Sequence, residues 1–213
     1  MKEEHILFQK LKTMSSLGIM GGTFDPIHMG HLLLAETAMS DLMLDGILFL
    51  PSGCSYMKNT DKVLTADHRL QMTELGIKDN PDFYLSDMEI RRGGNTYTCE
   101  TLAYLREELP HTELYFLVGA DCLFSIESWY RPEEILADCI LVAAVRDGVP
   151  MEKMEDQCSY LAEKYHGDVR LLSFPETAIS STQIRKRVSM GKSIRYMVPD
   201  KVRLYLDEHG LYQ

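Results

Sequence analysis

The sequence predicts an α/β protein built on a doubly wound, mostly parallel sheet, and three observations predict it. Short runs that are apolar at almost every position recur at residues 17–20, 46–50, 114–118 and 140–145, the pattern of strands buried on both faces, and residues 169–173 read as a further strand. The segments between them carry apolar residues at helical spacing, as Leu32, Leu33, Leu34, Ala35, Ala38, Met39 and Leu42 do. The first run stops at Gly21 and Gly22, residues that let a chain turn tightly from a strand into a helix. The last apolar segments are helical, so the sheet is expected to carry C-terminal helices.

Residues 1–16 precede the first strand. Ile6, Leu7, Phe8 and Leu11 are spaced for one or two helical turns, and the segment reads as an extension, frayed or loosely docked, ahead of a single domain at 17–213. Beyond the glycine turn, His28 and His31 fall at or just before the first turn of the next helix. The start of that helix aims unpaired N–H groups and the positive end of its dipole over the turn, which makes a site for an anion, most simply phosphate. Three residues apart, the two histidines share a face and can donate to the same phosphate oxygens. Two other readings stay open: a capping His28 with a core-packed His31, or a pair of metal ligands.

Residues 46–50 form the second strand, and the turn-rich stretch 52–62 belongs to the binding edge at its carboxyl end. Lys58 in that stretch reaches triphosphate oxygens or is solvated at the surface. Thr65 is the N-cap candidate of a helix through Ile77, to which only packing work is assigned. Residues 83–90 read as a third strand and 91–95 as a turn with two exposed cations, Arg91 and Arg92. A helix opens at 96–102, with Leu102, Leu105 and Leu109 inward.

After the strand at 114–118, the run Gly119-Ala120-Asp121 puts a carboxylate where it accepts hydrogen bonds from ribose hydroxyls or caps the next helix. Trp129, the single tryptophan, either stacks on a heteroaromatic ring or belongs to the core. A turn at 146–148, a helix at 151–165 and a strand at 169–173 lead to Ile179-Ser180-Ser181-Thr182-Gln183-Ile184-Arg185. Hydroxyls at a helix start bond both backbone N–H groups and phosphate oxygens, and Arg185, one turn on, can make a bidentate phosphate contact. A capped surface helix is the alternative. Pro199 and Gly210 bracket a last helix.

Residues 21–31, Gly-Gly-Thr-Phe-Asp-Pro-Ile-His-Met-Gly-His, fit without a gap the signature of the bacterial nicotinate-nucleotide adenylyltransferases, members of the H-x-G-H nucleotidyltransferase superfamily. Three more stretches resemble that family: Thr96-Tyr97-Thr98-Cys99-Glu100-Thr101-Leu102, the Gly-Ala-Asp…Trp-Tyr arrangement, and the I-S-S-T-x-x-R element ending at Arg185. The resemblance implies a Rossmann-like enzyme that joins ATP to nicotinate mononucleotide, releasing pyrophosphate and forming the deamido form of NAD. It also implies site roles. His28, His31 and Arg185 carry the chemistry; Gly21, Gly22, Thr23, Phe24, Lys58, Gly119, Asp121, Ser180, Ser181 and Thr182 serve ATP; Tyr97, Thr98 and Trp129 receive the pyridine ring. Mg²⁺ is expected to arrive with ATP, held mainly by phosphates, without a dedicated protein cage. Where the family commonly has Pro-Pro-His-Lys this chain has Ser55-Tyr56-Met57-Lys58, and only the lysine is kept. Three rivals remain at this stage: an adenylyltransferase for phosphopantetheine or nicotinamide mononucleotide, a non-catalytic nucleotide-binding protein, and a metalloprotein using His28 and His31.

The net charge of −10 argues against nonspecific nucleic-acid binding, which needs a basic face. Residues 176–203 nevertheless hold seven basic side chains against two acidic ones, an island suited to a small anionic ligand. Cys54, Cys99, Cys122, Cys139 and Cys158 are odd in number and far apart, and read as reduced thiols. With no signal-peptide pattern and no apolar run near the length of a membrane span, the expected location is cytoplasmic, away from membranes. Whether copies form a homo-oligomer is open.

Overall fold

The computed structural model describes residues 2–53, 63–145, 149–174 and 178–213. The expected turn at 146–148 and the Ser55 to Lys58 departure lie outside them. Among the described residues, the strands are β1 (Ser16–Gly22), β2 (Ile47–Pro51), β3 (Phe83–Leu85), β4 (Glu113–Gly119), β5 (Ile140–Ala144) and β6 (Val169–Leu172). They form one six-stranded sheet in the order β3-β2-β1-β4-β5-β6, the doubly wound Rossmann order. β1 pairs parallel with β4 (Leu17 opposite Leu114), β4 with β5 (Phe116 opposite Leu141) and β5 with β6 (Val142 opposite Arg170). No helix of the described residues is long and apolar enough to cross a membrane.

The chain divides into two compact units. The first comprises Met1–Met20, Ala35–Leu48 and Thr96–Glu176. Its core is the strand side chains, with Leu17, Ile19, Ile47, Leu114, Leu117, Leu141 and Val142 all buried. Here the expectation of a loosely docked leading segment fails. Helix α1 (Lys2–Leu11) buries Phe8 and Leu11, Phe8 meets Tyr104 edge-on at 5.9 Å, and Lys12 pairs with Glu108 at 3.2 Å. An apolar face of that kind docks as soon as a helix offers it a ring. Asp45 then secures the entry to β1 by accepting from the N–H groups of Ser15 and Ser16. Cys99, Cys122, Cys139 and Cys158 are not joined in disulfides; burial pushes Cys139 up to about 12 and Cys158 to about 11, so neither is a ready nucleophile at neutral pH.

The second unit comprises Gly21–Leu34, Phe49–Asn95 and Thr177–Gln213. Helix α2 (Met29–Asp41) begins in it, and α3 (Ala66–Ile77) packs on α10 (Asp200–Glu208), burying Met72, Ile77, Val202 and Leu206. Thr65 does occupy the N-cap position of α3, though its side chain makes no capping bond. The third strand is shorter than the sequence pattern suggests. After Leu85 the Ser86 N–H bonds Phe49 O, its hydroxyl accepts from Met88 N, and the chain turns into the short helix α4 (Met88–Arg92). A side-chain oxygen that caps the backbone two residues on diverts a strand in this way.

Candidate active site

β1 continues through Gly22, so the two glycines end the strand instead of making the turn. A Cβ on Gly22 would stand 3.0 Å from the Phe24 ring, and the left-handed residue is Phe24 itself, at φ 48°. Its ring is buried, edge-on to His31 at 5.1 Å and 5.9 Å from Phe49, which holds it in a conformation that a bulky residue otherwise avoids. The Asp25–Pro26 peptide that follows is cis.

His28 lies one residue before α2 and His31 in its first turn, as their spacing predicts. The rings stack, with centroids 3.7 Å apart and planes 22° from parallel. His31 Nδ1 accepts the His28 backbone N–H at 3.2 Å, which places the proton of a neutral His31 on Nε2. His28 is buried and His31 half-buried. Two side-by-side imidazoles at a helix start, one with a fixed N–H, are suited to oxygens of a single phosphate chain.

Helix α9 (Ser181–Ser189) supplies the second half of this constellation. Ser180 caps it by accepting from Gln183 N at 3.2 Å, leaving the amides of its first turn at the positive end of the dipole. Ser181 Oγ donates to Pro26 O at 2.9 Å, and Arg185 Nη1 donates to Asp25 O at 2.7 Å. Arg185 Nη2 donates to Thr182 Oγ1 at 3.3 Å. The two motifs, about 150 residues apart in sequence, are therefore bonded to each other.

Sequence reasoning missed the residues that brace this turn. Arg69, assigned to a helix with packing work only, is 2% exposed and donates to three carbonyls: Leu64 through Nε, Thr23 through Nη1 and Gly53 through Nη2. A guanidinium ties three strands of chain in this manner because its donors form a rigid fork. No local signal marked it: Arg69 lies in the mixed run Asp67-His68-Arg69-Leu70-Gln71. Asp25, quoted in the motif but given no task, is 3% exposed and accepts from Tyr212 Oη at 2.6 Å and Leu64 N at 3.3 Å.

The remaining described candidates belong to the first unit. Gly119 is the N-cap of α6 (Ala120–Ser125), with open space where a Cβ would project, and Asp121 is exposed in the first turn. Asp121 therefore does not cap the helix. Tyr97 is the N-cap residue of α5 (Thr98–Glu108), and Thr98 is the first residue of the helix. The Tyr97 ring lies 4.6 Å from that of Tyr130. Trp129 is half-buried and edge-on to Phe116 at 6.3 Å, and its enclosed Nε1 has no acceptor among the described residues. Lys58 lies outside the described residues. Among those described, no group of three or more His, Cys, Asp or Glu side chains is placed to hold a metal ion.

Fold and site define a nucleotidyltransferase. The cytidylyltransferase-like family model matches residues 19–187. A protein of Lachnoclostridium phytofermentans named "probable nicotinate-nucleotide adenylyltransferase" is 46% identical over 199 residues, 93% of this chain and 100% of its own length. A protein of the same name from Dehalococcoides mccartyi is 43% identical over 199 residues, covering 92% of this chain and 96% of the relative. The chain belongs to the nicotinate-nucleotide adenylyltransferase family. The same fold is found in the Plasmodium falciparum nicotinic acid mononucleotide adenylyltransferase solved with NaAD, at TM-score 0.76 and 22% identity, covering 93% of this chain and 97% of that one.

Proposed function

We propose that the chain joins MgATP and nicotinate mononucleotide by direct in-line attack, with no covalent enzyme intermediate. An oxygen of the mononucleotide 5′-phosphate bonds to the α-phosphorus of ATP as the bond from that phosphorus to the α–β bridging oxygen breaks. Pyrophosphate leaves and the deamido dinucleotide forms. Such chemistry asks for orientation and charge stabilisation more than for a nucleophilic side chain. His28 and His31 hold the α-phosphate and the bridging oxygen as charge develops there. Arg185, Thr182 and the first-turn amides of α9 anchor the departing pyrophosphate, with Ser180 fixing those amides. Because the Ser181 hydroxyl hydrogen is used on Pro26 O, that residue serves through its backbone N–H. Gly21, Gly22, Thr23 and Phe24 shape the floor beneath the phosphates, and Lys58 adds a cation. Gly119 and Asp121 receive the ribose of ATP, while Tyr97, Thr98 and Trp129 take the pyridine ring and its carboxylate. Mg²⁺ enters as part of the nucleotide substrate and offsets phosphate charge.

The observation that carries this reading is the direct bonding of α9 to the H-x-G-H turn through Ser181 and Arg185. It puts a guanidinium and a helix start against the turn that carries the paired imidazoles, the equipment a triphosphate needs. The test is pyrophosphate release by purified protein given MgATP with nicotinate mononucleotide, nicotinamide mononucleotide or phosphopantetheine in separate assays. Release with the first far exceeding the other two is expected. Equal or greater release with another acceptor reassigns the substrate, and none with any acceptor leaves a nucleotide-binding protein.

A further inference from the structure

The segment after α10 does more than end a helix. Gly210, at φ 59°, turns the chain back, and Leu211 donates to Leu206 O and is buried. Tyr212 then adopts φ 63°, a left-handed conformation that bulky side chains avoid unless something holds them there. What holds it is its hydroxyl, 2.6 Å from Asp25 Oδ1. Burial first, and then the bond to Asp25, push the phenol far above the ordinary tyrosine range, so it stays a proton donor.

Asp25 is almost wholly enclosed, and its partners are arranged unequally. Oδ1 takes the hydrogen bonds from Tyr212 and Leu64 N, while Oδ2 faces Arg185 Nη1 at 3.7 Å, beyond hydrogen-bond range. The short bond from Arg185 goes to the Asp25 backbone oxygen at 2.7 Å. Oδ2 is buried without a hydrogen-bond partner among the described residues, so the place from which its charge acts on Arg185 depends on how Oδ1 is pinned.

We propose that Tyr212 is a positioning residue for ATP: its hydroxyl pins the Asp25 carboxylate through Oδ1, so that Oδ2 is held at ion-pair distance from Arg185 and the guanidinium stays presented to phosphate. The proposal rests on the reading of Arg185 as a phosphate-holding group. Removing the phenol oxygen frees the carboxylate to turn, and Arg185 loses the fixed charge that positions it.

Steady-state pyrophosphate release by the full chain tests this with Y212F, R185A and the double variant, alongside thermal melts to show that each is folded. Y212F is expected to raise the KM for ATP about ten-fold, the scale of one charge-assisted bond, while the KM for nicotinate mononucleotide stays within about two-fold. In the R185A background, Y212F should add nothing, since there is no guanidinium left to misplace. If Y212F does not fold, D25N carries the test, because it keeps the shape of the side chain and removes the charge that orients Arg185; it too should raise the KM for ATP. A parental KM for ATP in the folded Tyr212 or Asp25 variant, or a further loss on adding Y212F to R185A, overturns the proposal. A parental KM for ATP in R185A overturns the phosphate role of Arg185 itself, and the Tyr212 proposal falls with it.

Discussion

The turns that leave β1 and β4 are held in place by different means. After β1 the chain spends residues 23–28 before α2 begins; after β4, α6 starts at once with Ala120. The longer turn is held by polar tethers from distant sequence: Arg69 on Thr23, Tyr212 on Asp25, Ser181 on Pro26 and Arg185 on Asp25. The shorter one rests on Ala120 and Leu123, both buried, and on the strand's own pairing with β5. A turn that presents side chains must be braced from outside, because its backbone has no repeating bonds to fix them. A turn that runs directly into a helix is fixed by the geometry of the helix it opens.

This contrast predicts where substitution harms chemistry and where it harms the fold. The largest effect falls on the braced turn: His31→Ala should lower kcat on the order of 10³-fold, about 4 kcal/mol, the scale of a lost transition-state donor. Its melting temperature should move by only a few degrees; equal losses of activity and stability would return His31 to a packing role. Next comes Arg69→Met, expected to destabilise by about 3 kcal/mol in denaturant titration, since it strands three carbonyls and frees the turn. If Arg69→Met left stability at the parental value, bracing would not be what holds this turn.

Smaller effects sharpen the comparison. Ser180→Ala removes the cap of α9 and should cost about 1 kcal/mol of stability, with some loss of ATP affinity. On the unbraced turn, Asp121→Asn should raise the KM for ATP about three-fold and leave the melting temperature unchanged, because an exposed carboxylate there supports nothing. Smallest of all is Glu127→Gln, away from both turns. The hydrogen bond from Lys164 holds the Glu127 carboxyl below its ordinary range. Its contribution is therefore complete above the ordinary carboxylate range and is lost as pH falls through the lowered value. The variant should melt about 1 °C lower near neutral pH, with the gap closing in acid, which melts across a pH series would show.

Much of this was legible in the order of residues alone. Continuous apolar runs marked β1, β2, β4 and β5 to within about two residues, because strands covered on both faces have no polar side to confuse the pattern; β6, with Arg170 exposed, carries a weaker pattern. The helix at Met151–Tyr165 has the bounds its spacing suggests. The motifs at His28, His31 and Ser180 to Arg185 stood out because they set polar side chains at short fixed spacing at helix starts, where the structure does place them. The strand expected at 83–90 was over-read, since a single serine hydroxyl at Ser86 redirects the backbone and has no periodicity to show it.

Contacts between distant segments left no local trace at all. Arg69 looks like one charge on a helix, Asp25 like one letter of a motif, and Tyr212 like a residue past the end of structure. Periodicity and composition are sums over neighbours in sequence, whereas a buried hydrogen bond between residues 25 and 212 depends on the whole intervening chain having folded. The residues suited to phosphate were thus written in the sequence, and the bonds that hold them in place exist only in the folded protein.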